Sequence, residues 1–170
     1  MKYKDELIRA QEWLATNEDV VFIGQSVKYS GNAIFNTLKT VPDEMKIEVP
    51  VFEDIQMGIS MGMAMNGLVP VTCFPRFDFL ICACNQLINH LDKIDYMSNS
   101  KMNPKVIIRT SIGAKKPLDG GVQHTMDYTN AFKDMLTDID VVLLNEPDEI
   151  VSSFKHAYER KDGKSTLLIE

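Results

Sequence analysis

The chain has 170 residues, 45% hydrophobic and 25% charged, which is enough apolar material for one buried core and leaves little room for a second. Eighteen basic against 24 acidic side chains give a formal charge of −6, which argues against a sequence-independent grip on nucleic acid or anionic lipid, because either needs a basic face. Three cysteines (Cys73, Cys82, Cys84) make no secreted disulfide framework, and with no basic-then-apolar leader at the start the expected compartment is the cytoplasm.

In chain order, Lys4 to Ala15 turns through helical spacing at Leu7, Ile8, Ala10, Gln11 and Leu14. Val20-Val21-Phe22-Ile23, closed by Gly24, reads as a buried strand. A helix is expected near Asn32 to Leu38, and a strand over Ile47 to Val51 interrupted by Pro50. Residues 55–75 carry no charged side chain, a run long enough to span a bilayer. Asn66-Gly67, Pro70 and Pro75 punctuate it, so a helix from Asp54 to Asn66 followed by a strand from Val69 to Phe74 fits better. No membrane span is expected.

A long helix is predicted from Phe79 to Met97, then a strand over Val106 to Arg109 and a polar loop from Ser111 to Gln123. Asp140 to Leu144 is the next strand, Asp148 to Arg160 a helix after Pro147, and Thr166 to Ile169 the last strand. This alternation implies one α/β domain over residues 1–170, with a mostly parallel twisted sheet covered by helices on both faces. Ligand sites in such sheets lie at the carboxyl ends of the strands, and the 111–123 loop leaves such an end.

Common nucleotide signatures fail. Gly163-Lys164-Ser165-Thr166 copies the tail of a phosphate loop, but Tyr158 stands where its first glycine belongs. Cys82 and Cys84 point to different helix faces, which disfavours a zinc cluster, and all three cysteines read as core residues. No Gly-x-Ser-x-Gly elbow is present.

Two segments remain. Val49-Pro50-Val51-Phe52-Glu53 puts a carboxylate between an apolar strand and an apolar helix; Asp54 alone could serve the helix dipole, leaving Glu53 available. That helix carries Gly58 and Gly62 beside a Met57, Met61, Met65 stripe, which suits either packing within the domain or a close contact with another subunit. The second segment runs Phe74-Pro-Arg-Phe77-Asp-Phe79, then Asn85-Gln86-Leu-Ile-Asn89-His90 and Tyr96-Met97-Ser98. Its alternate aromatics suit either a planar ligand or the core.

These two segments, with Gly120-Gly-Val-Gln-His124 downstream, occur in the order seen in transketolase-like thiamine diphosphate enzymes, and residues 20–169 resemble their pyrimidine-binding domain. The nearest likeness is to the beta subunits of 2-oxo acid dehydrogenase first components. The resemblance implies that Glu53 hydrogen-bonds the ring nitrogen of the cofactor's aminopyrimidine and so activates it, with Val51 and Phe52 expected to supply apolar surroundings. It puts Phe77 and Phe79 with Val51 in the cofactor-binding set, Phe79 packing on the pyrimidine, and makes His124 the histidine of acceptor chemistry. Lys115 and Lys116 could meet a substrate anion or simply face solvent. Gln25-Ser26 stand where the family's beta subunits have an acidic pair, and Cys82 where a glutamine is usual, both departures that bear on substrate class rather than on the cofactor.

The resemblance also implies what the chain lacks. The family's carboxyl-terminal domain is absent, through either a natural split or trimming. No Gly-Asp-Gly occurs; Asp119-Gly120-Gly121 lacks the leading glycine. The magnesium ligands are therefore expected on a diphosphate-binding, alpha-type partner in a heterotetramer, with self-association through the glycine-methionine helix as a further option. The expected activity is that of one subunit of a two-chain enzyme, decarboxylating a 2-oxo acid or transferring a two-carbon unit from a ketose. The alternatives are a non-catalytic assembly or regulatory module, and a subunit of a sulfopyruvate- or phosphonopyruvate-type decarboxylase.

Overall fold

The computed structural model describes residues 2–170. Among them, six strands form one wholly parallel sheet: β1 (Val20–Gly24), β2 (Lys46–Glu48), β3 (Val69–Phe74), β4 (Ile107–Thr110), β5 (Asp140–Leu143) and β6 (Thr166–Ile169). Their order across the sheet is β2-β1-β3-β4-β6-β5. β3 is buried along its whole length between β1 and β4, pairing Val71 with Phe22 on one side and Ile107 on the other.

Side-chain alternation sorts the sheet into two cores. Phe22, Val71, Ile107 and Leu168 face α1 (Tyr3–Leu14), α2 (Ala33–Thr37) and α7 (Pro147–Glu159). Phe74, Ile108, Leu167 and Ile169 face α3 (Glu53–Met65), α6 (Thr129–Met135) and the helical run between residues 77 and 97. Helices therefore cover both faces, as the alternating pattern requires. On the first face α1 and α7 lie together, with Trp13 edge-on to Tyr158 at 5.7 Å and the Lys155 ammonium 4.9 Å from the Trp13 ring centre.

Three elements differ from expectation. β2 stops at Glu48, short of Val51. The Val49 N–H still reaches the Gly24 carbonyl at 3.1 Å, but Pro50 has no donor to continue the ladder. Glu48 then turns inward, its carboxylate accepting from the backbone N–H of Ser26, Val27 and Lys28 at 2.5, 2.9 and 2.8 Å. The expected helix from 79 to 97 is instead a chain of short pieces: α4 (Phe77–Leu80), a 3-10 turn at Ile81–Ala83, a π-helix at Asn85–Leu91 and α5 (Ile94–Met97). The widened register is visible in the Asp92 N–H, which donates to the Leu87 carbonyl five residues back at 2.9 Å. Finally, α6 fills a stretch that carried no expectation, burying Thr129 and Phe132.

The long uncharged run resolves as expected into α3, a turn at Asn66-Gly67 with Gly67 at φ +89°, and β3. No helix of the described residues is long and apolar enough to cross a membrane. Gly24 ends β1 where a side chain has no room, since a Cβ there would lie 2.5 Å from the Cys73 carbonyl oxygen.

Candidate functional site

Glu53 is set by a proline and a helix start. After β2 the Phe52 N–H closes a tight turn onto the Pro50 carbonyl at 2.8 Å, and the Gln56 N–H opens α3 by donating to the Phe52 carbonyl at 2.8 Å. Glu53 is thus the first helical residue, where the positive end of the helix dipole favours a carboxylate. It is half-buried and has no hydrogen bond or ion pair among the described residues. Asp54 does hold a neighbour: its Oδ2 accepts from Gln86 Nε2 at 3.3 Å, tying α3 to the π-helix. Glu53 lines a cleft of about 170 Å³ with Val51, Phe52, Asp54, Ile55 and Cys82.

Val51 and Phe52 flank this carboxylate without enclosing it, being 58% and 59% exposed. Ile55 and Ile59 extend the same exposed apolar strip along α3. The methionines behave differently: Met57 is fully buried in the core and Met61 packs against it, so only Met65 of that stripe lies open. Gly58 admits Gln86, which a Cβ would meet at 3.7 Å, whereas a Cβ on Gly62 would meet nothing within 4 Å. Cys82 is exposed at the edge of the Glu53 cleft, correcting its assignment to the core; Cys73 is buried and Cys84 intermediate.

The second cleft, of about 390 Å³, is lined by Asp78, Phe79, Val122, Gln123, His124 and Tyr128. Its floor is α4, whose start is fastened to the loop after β4 by the Phe77 N–H donating to the Ser111 carbonyl at 2.9 Å. Phe79 is half-buried and meets the His124 imidazole edge-on, with ring centres 5.4 Å apart. Phe77 has no surface to offer a ligand. It is fully buried, packed at 5.6 Å against Tyr128 and at 5.0 Å against Phe132. Its place in a cofactor-binding set is corrected to a core residue that holds α4, because in an alternating Phe-x-Phe pair on a helical turn only one ring can face outward.

His124 is half-buried, its backbone N–H donating to the Gly121 carbonyl at 2.9 Å and its ring Nδ1 shielded without a partner. Gly113 passes so close behind it that a Cβ there would overlap the His124 carbonyl oxygen. Gly113→Ala is accordingly expected to push the 120–125 segment outward and to cost about 1–3 kcal/mol. A shifted His124 imidazole resonance with a lowered denaturation midpoint would show it; an unmoved resonance would refute the packing argument. Lys115 and Lys116 are both exposed.

One positioning residue escaped the sequence reading. Gln56 is buried, and its Nε2 donates to Thr72 Oγ1 at 2.9 Å and to the Cys73 carbonyl at 3.1 Å, locking the first turn of α3 onto β3. A lone glutamine in an apolar helix carries no mark of such a contact. The 77–83 segment links the two clefts, giving Phe79 to one and Cys82 to the other. Glu53 and Val51 therefore share one cleft, and Phe79 and His124 the next.

An all-parallel α/β domain with an unpartnered acid and a histidine–aromatic pair in adjoining clefts is of the ligand-binding class that uses strand ends and helix starts. Residues 8–170 match the family described as transketolase, pyrimidine binding domain, and the chain belongs to it. Among curated relatives, it is 31% identical over 120 residues to the pyruvate dehydrogenase E1 component subunit beta of Rhizobium meliloti (strain 1021). That alignment covers 69% of this chain and 26% of the relative. It is 24% identical over 151 residues to the 2-oxoisovalerate dehydrogenase subunit beta of Bacillus subtilis (strain 168), covering 86% of this chain and 42% of the relative. The chain thus spans less than half the length of these proteins. A solved structure described as a split gene transketolase, inactive beta4 tetramer, shares the fold with a TM-score of 0.61 at 19% identity, over 98% of this chain and 48% of that one.

Proposed function

We propose that this chain is the pyrimidine-binding part of a two-chain thiamine diphosphate enzyme acting on a 2-oxo acid or a ketose. The observation that carries the reading is Glu53: an unpartnered carboxylate, half-buried at the start of a 13-residue helix, facing a cleft with apolar walls. A carboxylate in such a place has no structural work within the domain, since Asp54 already joins α3 to its neighbour. The residues present fit the cofactor's aminopyrimidine: Glu53 to hydrogen-bond a ring nitrogen, Val51 to give it an apolar wall, and Phe79 to set an aromatic ring beside it.

When bound, thiamine diphosphate supplies the electron sink for breaking a bond next to a carbonyl. The protein's part is positional and protonic. Glu53 holds a proton at the pyrimidine edge, and Gln56 keeps that carboxylate in place by fixing the helix turn beneath it. His124, with its ring set against Phe79, moves a proton to or from the acceptor.

The magnesium ligands and the diphosphate grip belong to a diphosphate-binding, alpha-type partner in a heterotetramer. Support for this comes from the exposed strip Val51, Phe52, Ile55 and Ile59 that continues outward from the Glu53 cleft. Covering that strip would also enclose Glu53. The α3 strip could instead seat a second copy of this chain.

Calorimetry tests the reading. Thiamine diphosphate with magnesium chloride should give saturable heat with the chain mixed with a Gly-Asp-Gly-bearing subunit from the same source, and none with the chain alone. No heat in the mixture, once its assembly is verified by sedimentation, would favour a non-catalytic module instead.

A further inference from the structure

Two polar side chains in the wall of the cleft of about 390 Å³ have no part in the chemistry given to His124: Asp78 on α4 and Tyr128 at the start of α6. We propose that they form a specificity pair, receiving a hydroxyl group from an uncharged, polyhydroxylated part of the substrate. The proposal rests on the function given above and narrows it to the ketose of the two substrate classes named there.

Tyr128 is held from two sides. Its ring stands edge-on to the fully buried Phe77 at 5.6 Å, and its carbonyl accepts the Phe132 N–H at 3.0 Å in the first turn of α6. The hydroxyl donates to Asp78 Oδ1 at 3.4 Å, whereas such bonds are ordinarily about 2.8 Å. Two oxygens held this far apart bond weakly and keep capacity for a third group between them. Asp78 Oδ2 is shielded and without a partner, so the carboxylate offers the cleft its Oδ1, beside the phenol. Desolvation, and then the charge and hydrogen bond of Asp78, raise the Tyr128 pKa, which keeps the phenol proton in place as a donor.

The charge of the lining chooses among ligands. Among the described residues it holds one carboxylate, Asp78, and no lysine or arginine. Lys115 and Lys116 sit in the preceding loop but line neither this cleft nor that of Glu53. A carboxylate or phosphate bound here would face Asp78 with no lysine or arginine of this lining to offset it. Hydroxyl groups suit the same wall. The phenol, the Asp78 carboxylate and the exposed Gln123 amide donate or accept, while Phe79 faces the carbon skeleton.

The test uses the 15N-labelled 170-residue chain without cofactor or partner, with xylitol as the uncharged polyol and pyruvate as the 2-oxo acid. Xylitol should shift the amides of Phe79, His124 and Tyr128 saturably while those of Val51 to Ile55 stay still. Pyruvate should move none of them. Tyr128→Phe, which keeps the ring on Phe77, and Asp78→Asn should each weaken xylitol about tenfold, the worth of one hydrogen bond. In the free variants the Phe79 amide and the His124 ring should resonate where they do in the parent. Their displacement before any ligand is added would make the pair merely structural and overturn the proposal. Absence of saturable xylitol shifts, equal shifts with pyruvate, or unchanged affinity in Tyr128→Phe would overturn it too. Because no cofactor is present, the outcome is separable from the calorimetric one: heat in the mixed subunits without xylitol binding removes this pair and keeps the enzyme.

Discussion

Glu53→Gln is expected to lower turnover of the assembled two-chain enzyme by about 10²–10⁴-fold, the range ordinarily carried by one general acid–base group. Glutamine keeps the length and planarity of the side chain and removes only the ability to hold and share a proton. Glu53 has no hydrogen bond or ion pair in the domain to lose, so the denaturation midpoint of the isolated chain should stay within about 0.5 kcal/mol of the parent. The split between the two measurements is informative. A large loss of turnover with unchanged stability and assembly supports the role given to the carboxylate, and retained turnover ends it.

The largest effect on stability is expected at Asp92, where Asp92→Ala should cost about 3 kcal/mol or more. This residue is 3% exposed and closes the π-helical turn. Its carboxylate accepts from the backbone N–H of Thr137, Asp138 and Ile139 at 2.9, 2.8 and 3.2 Å, and from Thr137 Oγ1 at 3.0 Å. Lys93 Nζ completes the set at 2.5 Å. Alanine would leave those backbone donors facing a void. Burial by itself would raise the Asp92 pKa, but the bonds from Lys93, Asp138 and Thr137 outweigh it and hold the carboxyl below its ordinary range.

The sign of the pH effect follows. A depressed folded-state pKa means that the unfolded chain takes up the proton first, so the contribution is complete above about pH 4 and is lost as pH falls through the folded value. Urea midpoints of the parent and of Asp92→Asn should therefore differ most at neutral pH and converge in acid. A constant difference down to pH 2 would show that the carboxylate is not the source.

Much of the architecture was legible in the residues because the signals concerned are local. Val69 to Phe74 is a strand over the residues expected, and the helix before it ends at the Asn-Gly that cannot prolong it. Pro147 marks the start of α7, where a proline's missing donor costs nothing. The region from 77 to 97 was less legible. Its apolar residues are compatible with helical spacing, but an i to i+5 turn has no side-chain signature, and the register slips to bring Asp92 under the backbone of residues 137–139. The seven-residue α6 shows too little periodicity to be read unaided, with Thr129 and Phe132 its buried residues.

The same division runs through the candidate site. Glu53, Phe79 and His124 could be named from motif order, since each sits in a short run whose composition is distinctive. Which of Phe77 and Phe79 points outward could not, because the choice is made by Tyr128 and Phe132 from fifty residues away, closing over one ring. Gln56 became a positioning residue only when β3 was laid against α3. The order of elements, the alternation of the strands and the membership of the family follow from the sequence, because hydrogen bonding along a helix and facing along a strand are set by near neighbours. The clefts, the Asp78–Tyr128 pair and the exposed edge of α3 were decided by packing. Each joins side chains far apart along the chain, and no local pattern records which of them will meet.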